Sequence, residues 1–153
     1  MKARIKWAGG RTFIAESGSG HAVVLGTPAR PDDRSTCPSA MEMVLIGLGG
    51  CTAFDVVHIL ERSREPIEGC VAELDAERAS QDPKVFTRIH VHFVVTGRGL
   101  DRSKVERAIN LSADKYCSVS AMLGKTAEIT HDLEIVDGGG GEARGEREAG
   151  PRG

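Results

Sequence analysis

Two cysteines are the residues of this chain best suited to covalent chemistry. Cys51 follows Gly47-Leu48-Gly49-Gly50 in GLGGCTAFDVV, and Asp55 and His58 come four and seven residues later. In a helix these three side chains share one face. Cys117 stands in YCSVSAML, where one helical segment yields to another. A thiol leading into the next helix feels the positive end of its dipole, which favours the thiolate, the form that reacts.

A cysteine in the middle of an apolar helix is ordinarily inert, because desolvation raises its pKa. The glycines point the other way. Each weakens a helix by roughly 1 kcal/mol relative to alanine. Together they clear side-chain bulk beside Cys51, where other backbone or a substrate can approach. Asp55 disfavours an anion next to it, so a thiolate there needs a cation. Arg11, after the Gly9-Gly10 turn, is the first candidate and Arg34 the second. Moving a cysteine from about 8.5 to about 6 takes about 3 kcal/mol of preferential thiolate stabilisation. A partly buried arginine with N–H donors can supply this; a solvated one cannot.

Metal chemistry has weaker support. Cys51, Asp55 and His58 could converge as ligands, but no CxxC pair exists for a zinc ribbon. His90 and His92 share the polar face of a strand, with no carboxylate close by in sequence, and read as solvated. Cys70 lies near a strand start and reads as structural. Cys37, before Pro38 in a polar loop, reads as an accidental reactive thiol or as an alternative disulfide partner for Cys51.

The elements that must position these residues follow from patterning. The chain has 153 residues, enough for one domain with a core. Charge is balanced, 20 Lys and Arg against 22 Asp and Glu, so no basic footprint points to nucleic acid. The start, MKARIKWAGG, lacks an apolar signal region, and the uncharged apolar run at 43–54 is twelve residues, short for a bilayer. The expectation is a cytoplasmic protein with no membrane partner. Four irregularly spaced cysteines do not make a disulfide scaffold.

Residues 2–7, 12–15 and 22–25 read as short strands of a meander with glycine turns. A proline-rich loop at 27–39 ends at Ser39, an N-cap with Glu42 as capping-box partner. Residues 40–62 form a helix apolar almost all round, a pattern that calls for burial, here at a subunit interface. Residues 71–79 and 85–96 are long strands joined at Gln81-Asp82-Pro83-Lys84. A second helix opens at Asp101 or Ser103 and runs to about Tyr116, and Ser118 to Leu123 adds a further helical turn. Residues 127–136 form a last strand, and 137–153, glycine-rich and charged, read as a disordered tail. The predicted order is β-β-β-α-β-β-α-α-β, an α+β domain over 1–136.

MEMVLIGLGGCTAFDVV together with YCSVSAMLGKTAEITHDLEI resembles the OsmC/Ohr family of osmotically induced and organic-hydroperoxide-resistance proteins. The match in element order covers about residues 1–136 and has the look of an outlying branch. The resemblance implies antiparallel sheets around a long central helix, in an intertwined homodimer with two active sites at its interface. It implies a peroxidase in which Cys51 attacks an organic hydroperoxide and becomes a sulfenic acid. Cys117 then closes a disulfide, and an external dithiol reduces it. No cofactor, haem or metal is implied. Met41, Leu45, Leu48 and Met122 would form an apolar pocket favouring alkyl hydroperoxides.

The family places a glutamate ten residues before its first cysteine, to orient the activating arginine. Met41 occupies that position here, and the carboxylate is next door at Glu42. Arg11 and Glu42 are both candidate catalytic residues. Gly9-Gly10-Arg11 fits the family's arginine loop only loosely, and Glu42 takes the glutamate's role only if the first turn of the helix is irregular. Nine residues of regular helix turn through about 900°, which projects Glu42 opposite to Cys51 and favours its capping role. The alternative function is a non-enzymatic protein holding an acyl or electrophilic small molecule on the same dimeric scaffold.

Overall fold

The structure is a computed structural model that describes residues 1–28, 30 and 34–138. Its elements are β1 (Ala3–Trp7), β2 (Thr12–Ser17), β3 (Ala22–Gly26), α1 (Ala40–Arg62), β4 (Ile67–Arg78), β5 (Phe86–Gly97), α2 (Arg102–Leu111), a π-helical turn (Ser112–Tyr116), α3 (Ser118–Leu123) and β6 (Glu128–Asp137). This is the α+β order predicted from the sequence. The chain divides into two compact units, Met1–Cys51 and Thr52–Gly153, with the boundary inside α1.

In the first unit, β1, β2 and β3 form an antiparallel meander. Gly9 and Gly10 take positive φ of 103° and 54°, which turns the chain between β1 and β2 without steric strain. The register pairs Ile5 with Ala15, Trp7 with Phe13, Phe13 with Leu25 and Ala15 with Val23. Side chains directly opposite share a face, so all six lie together. Ile5, Trp7 and Phe13 on that face are exposed.

In the second unit, β4 and β5 form the expected hairpin, and β6 lies on the other side of β5. One expectation is corrected here: the β5–β6 pair is parallel, not antiparallel. The reason is the connection. The chain leaves β5 through α2, the π turn and α3, a crossover long enough to return it to the same end of the sheet. Phe86, Ile89, Val91, Phe93 and Val95 of β5 are buried, as are Val105, Ala108 and Ile109 of α2. Of the stretch 137–153 expected to be a disordered tail, the first two residues are ordered. β6 runs to Asp137, Gly138 donates from its amide to the Gly97 carbonyl at 3.2 Å, and 139–153 lie outside the described residues.

α1 begins with the predicted capping box. The Ser39 amide donates to Glu42 Oε2 at 2.6 Å, and the Glu42 amide to Ser39 Oγ at 3.2 Å. Its other end is closed by Arg64 at φ 58°, while the Glu65 amide reaches back to the Leu60 carbonyl at 3.0 Å. The Glu65 carboxylate then receives the Asp101 amide at 2.9 Å and Lys104 Nζ at 2.6 Å. These two donors hold its carboxyl below the usual range and tie the end of α1 to the start of α2. Asp101 caps α2, accepting the Ser103 amide at 2.9 Å.

Leu48, Thr52, Val56 and Leu60 form a buried stripe along α1, spaced every fourth residue. Ile46 and Phe54, by contrast, are 57% and 70% exposed, and a Cβ added at Gly47 or Gly50 would touch nothing within 4 Å. The helix is long and apolar enough to cross a membrane by length and composition alone, further than its twelve-residue uncharged run indicated. Only 28% of its most apolar window is buried.

Candidate active site

Cys117 is placed by a local departure from α geometry. After α2 the chain takes one π turn, in which the Cys117 amide donates to the Ser112 carbonyl at 2.9 Å, five residues back. Such a turn brings residues five apart towards one side of the helix. Ser112 and Cys117 are accordingly both buried, at 1% and 2% exposure, while Tyr116 between them is exposed. Cys117 then caps α3, its Sγ accepting the Ser120 amide at 3.4 Å. The positive helix end expected from the sequence is thus realised as a hydrogen bond to sulfur.

Asp55 stands beside Cys117 in the second unit and follows Cys51 by one turn of α1. On α1 its carboxylate and the Cys51 thiol, one turn apart, approach within 4.8 Å. In the second unit the same carboxylate lies within 4.8 Å of Cys117 Sγ. The hydroxyl of Ser112 donates to Asp55 Oδ2 at 3.0 Å and fixes one oxygen. Sequence spacing brought Asp55 to Cys51; the approach of Cys117 to that carboxylate, through Ser112, had no local signal. Thiols and a carboxylate are donors that zinc accepts, so a metal reading would use Cys117 where the sequence offered His58. The His58 ring instead stacks on Phe54, with centroids 6.0 Å apart and planes 5° from parallel.

Arg11 and Glu42 are not brought together. Arg11 donates from Nη1 to the Pro28 carbonyl at 3.2 Å. Glu42 is engaged at the helix start, where the Ser39 hydroxyl and amide hold its carboxyl below the usual range. Arg11 lines a trough of about 490 Å³ within the first unit, with Ile5, Gly10, Phe13, Leu25, Gly26, Thr27 and Ala40. Of its lining the sequence reading had named only Arg11. Leu48, expected in a substrate pocket, is fully buried; Met41 and Leu45 are half-buried, and Met122 is 64% exposed. The alternation that marks 2–7 as a strand also puts Ile5 and Trp7 on the apolar face on which the trough lies; its use as a site was what the sequence reading did not draw.

The remaining thiols are quieter. Cys70 is half-buried on β4, and burial pushes its thiol up, away from reactivity. Cys37 is half-buried at the end of its loop. The strand histidines, expected to be solvated, have carboxylates supplied by β6. His92 Nδ1 lies 2.6 Å and His90 Nε2 3.3 Å from Asp132 Oδ1.

A family model described as "OsmC-like protein" matches residues 32–132. Protein YhfA of Escherichia coli K12 is 48% identical over 136 residues, which cover 89% of this chain and 98% of the relative. A solved structure from structural genomics is 46% identical, with a TM-score of 0.80 over 90% of this chain and 99% of its own. The organic hydroperoxide resistance protein OhrB of Bacillus subtilis shares the fold, at 19% identity and a TM-score of 0.60. The alignment spans 88% of this chain and 98% of that one.

Proposed function

From its membership of the OsmC family, to which this chain belongs, we propose that the protein is a thiol peroxidase acting on organic hydroperoxides. The observation that carries this reading is the placement of the second thiol: Cys117 Sγ lies within 4.8 Å of a side chain, Asp55, that follows Cys51 by one helical turn. Cys51 attacks the distal oxygen of the hydroperoxide, the alcohol departs, and a sulfenic acid remains on Cys51. The Cys117 sulfur displaces the hydroxyl as water and forms the disulfide, and an external dithiol restores both thiols. The cycle balances with thiols alone and needs no metal or organic cofactor. Its natural setting is a reducing compartment, the cytoplasm, where a dithiol reductant is available.

The assembly proposed with it is a homodimer. Ile5, Trp7 and Phe13 on the meander, and Ile46 and Phe54 on α1, leave apolar surface exposed in a single chain. A second copy covering these faces would close the trough beside Arg11 into a pocket for an alkyl chain and bring its guanidinium into dry surroundings. Glu42 is left to its capping role, and arginine positioning falls to the Pro28 carbonyl.

A second reading is favoured by the same trough. An apolar groove with one guanidinium at its wall suits the carboxylate and tail of an acyl ligand, bound without turnover. The two readings part on one experiment. Reduced protein with a dithiol should consume cumene hydroperoxide, Cys51→Ser should abolish consumption, and peptide mass spectrometry should find a single Cys51–Cys117 disulfide. Robust turnover by Cys51→Ser ends the peroxidase reading. An acyl ligand retained in native mass spectrometry, without a peroxide-sensitive thiol, supports the binding one.

A further inference from the structure

Asp55 has a position that the peroxidase cycle outlined above leaves unused. Its carboxylate stands within 4.8 Å of Cys117 Sγ, it follows Cys51 by one turn of α1, and Ser112 Oγ holds its Oδ2 at 3.0 Å. Ser112 is buried, and its carbonyl also accepts the Cys117 amide at 2.9 Å. One residue therefore orients both the carboxylate and the backbone of the second thiol. The π turn is what allows this, since it brings Ser112 and Cys117 towards the same side.

The step that needs a proton carrier is disulfide closure. Cys117 must lose its thiol proton as its sulfur attacks, and the hydroxyl leaving Cys51 must gain one to depart as water. We infer that Asp55, held by Ser112, carries this proton, accepting it from Cys117 Sγ and delivering it to the hydroxyl that leaves Cys51. The S–S bond forms and the S–O bond breaks. The Cys117 sulfur is oxidised by one unit and the Cys51 sulfur reduced by one, and the carboxylate ends as it began. A gap of up to 4.8 Å is closed by a small side-chain rotation or one bridging water. Ser112 holds Oδ2, and the other carboxylate oxygen, Oδ1, does this work. This also explains why a carboxylate, which opposes a thiolate, is tolerated beside both cysteines. It serves the second step of the cycle rather than the first.

The inference rests on the peroxidase reading for its place in the cycle, and its test has two arms. In the first, reduced full-length protein receives one equivalent of cumene hydroperoxide and is sampled with dimedone, which traps sulfenic acid, for mass spectrometry. Asp55→Asn should form sulfenic acid at least as fast as the unsubstituted chain but close the disulfide about a hundredfold more slowly near neutral pH. Its closure rate should climb about tenfold per pH unit as hydroxide replaces the internal base. Asp55→Glu should recover part of the loss, and Ser112→Ala should slow closure by less.

The second arm needs no peroxide. With Cys37 and Cys70 replaced by alanine, Cys51 is loaded with thionitrobenzoate, and release of the chromophore by Cys117 is followed. Asp55→Asn should slow release with the same new pH slope, and Cys117→Ser should prevent it. An unchanged rate and pH profile for Asp55→Asn in this arm overturns the inference. Absence of both sulfenic acid and the Cys51–Cys117 disulfide from the unsubstituted chain in the first arm overturns the peroxidase reading instead. Because Asn preserves the size and the acceptor for Ser112, a merely structural role for Asp55 would not move the pH slope.

Discussion

Phe13 and Phe93 are both aromatic side chains on the middle strand of a three-stranded sheet, yet Phe93 is 2% exposed and Phe13 38%. The strands around them are built on the same alternation. On β5 the apolar residues Ile89, Val91, Phe93 and Val95 find cover within their own chain. On β2 the matching face, with Ile5 and Trp7 from β1, stays open. Alternation thus tells which face of a sheet is apolar but not what covers it. The second unit contains its own core; the first presents an apolar face that its own sheet leaves exposed, the face the proposed second copy would cover.

The largest expected effect separates the two phenylalanines directly. Phe93→Ala should cost about 3–5 kcal/mol in urea unfolding, at any protein concentration, because it empties a closed core. Phe13→Ala should change unfolding mainly through assembly, with a cost that grows as protein concentration rises. If Phe13→Ala is as costly in dilute protein as Phe93→Ala, the contrast between the sheets is wrong.

A sharper version places a charge on the open face. Ile5→Asp should leave a single chain folded, since Ile5 is 57% exposed. Across a subunit interface it would bury a carboxylate, which raises the dimer dissociation constant by about a hundredfold or more. Sedimentation velocity over a concentration series reads this, and an unchanged dimer would remove the face from the interface.

The contrast also marks how far the sequence could be read. The element order, the Ser39–Glu42 capping box, the Asp101 cap and the placement of Cys117 before α3 all follow from local patterns and are found. What escaped was set by distance along the chain. Register alone brings Ile5, Phe13 and Leu25 into one trough, and only the crossover sets β6 parallel to β5. The π turn was invisible because the widened turn still keeps the helical segment between apolar residues. Leu48 was assigned to a substrate pocket because an apolar helix does not reveal which stripe is core. Asp132 was not paired with His92 because 40 residues separate them.

That last pair gives the smallest effect, on the outer face of the sheet whose inner face is closed. His92 Nδ1 and Asp132 Oδ1 are 2.6 Å apart, and His90 Nε2 adds a contact to the same oxygen at 3.3 Å. The hydrogen bond to Asp132 raises the His92 pKa above its ordinary 6.5, and the same bond lowers Asp132 below its ordinary 3.8. A raised histidine stabilises the fold fully below 6.5 and ceases to as pH rises through its folded value; a lowered carboxylate does so above 3.8 and ceases as pH falls. Both contributions are therefore complete only between these two values. Asp132→Asn should lower the melting temperature slightly at about pH 5, with the difference closing towards about pH 9. Glu73 and Glu134 also favour protonated His92, so some pH dependence should survive the substitution. The side chains are 31% and 60% exposed and screened by water, so the shift should shrink further in high salt. An equal loss at both pH values would mean that Asp132 acts through packing, and the outer face of this sheet would then resemble the open face of β1–β3 more than its ionic pairs indicate.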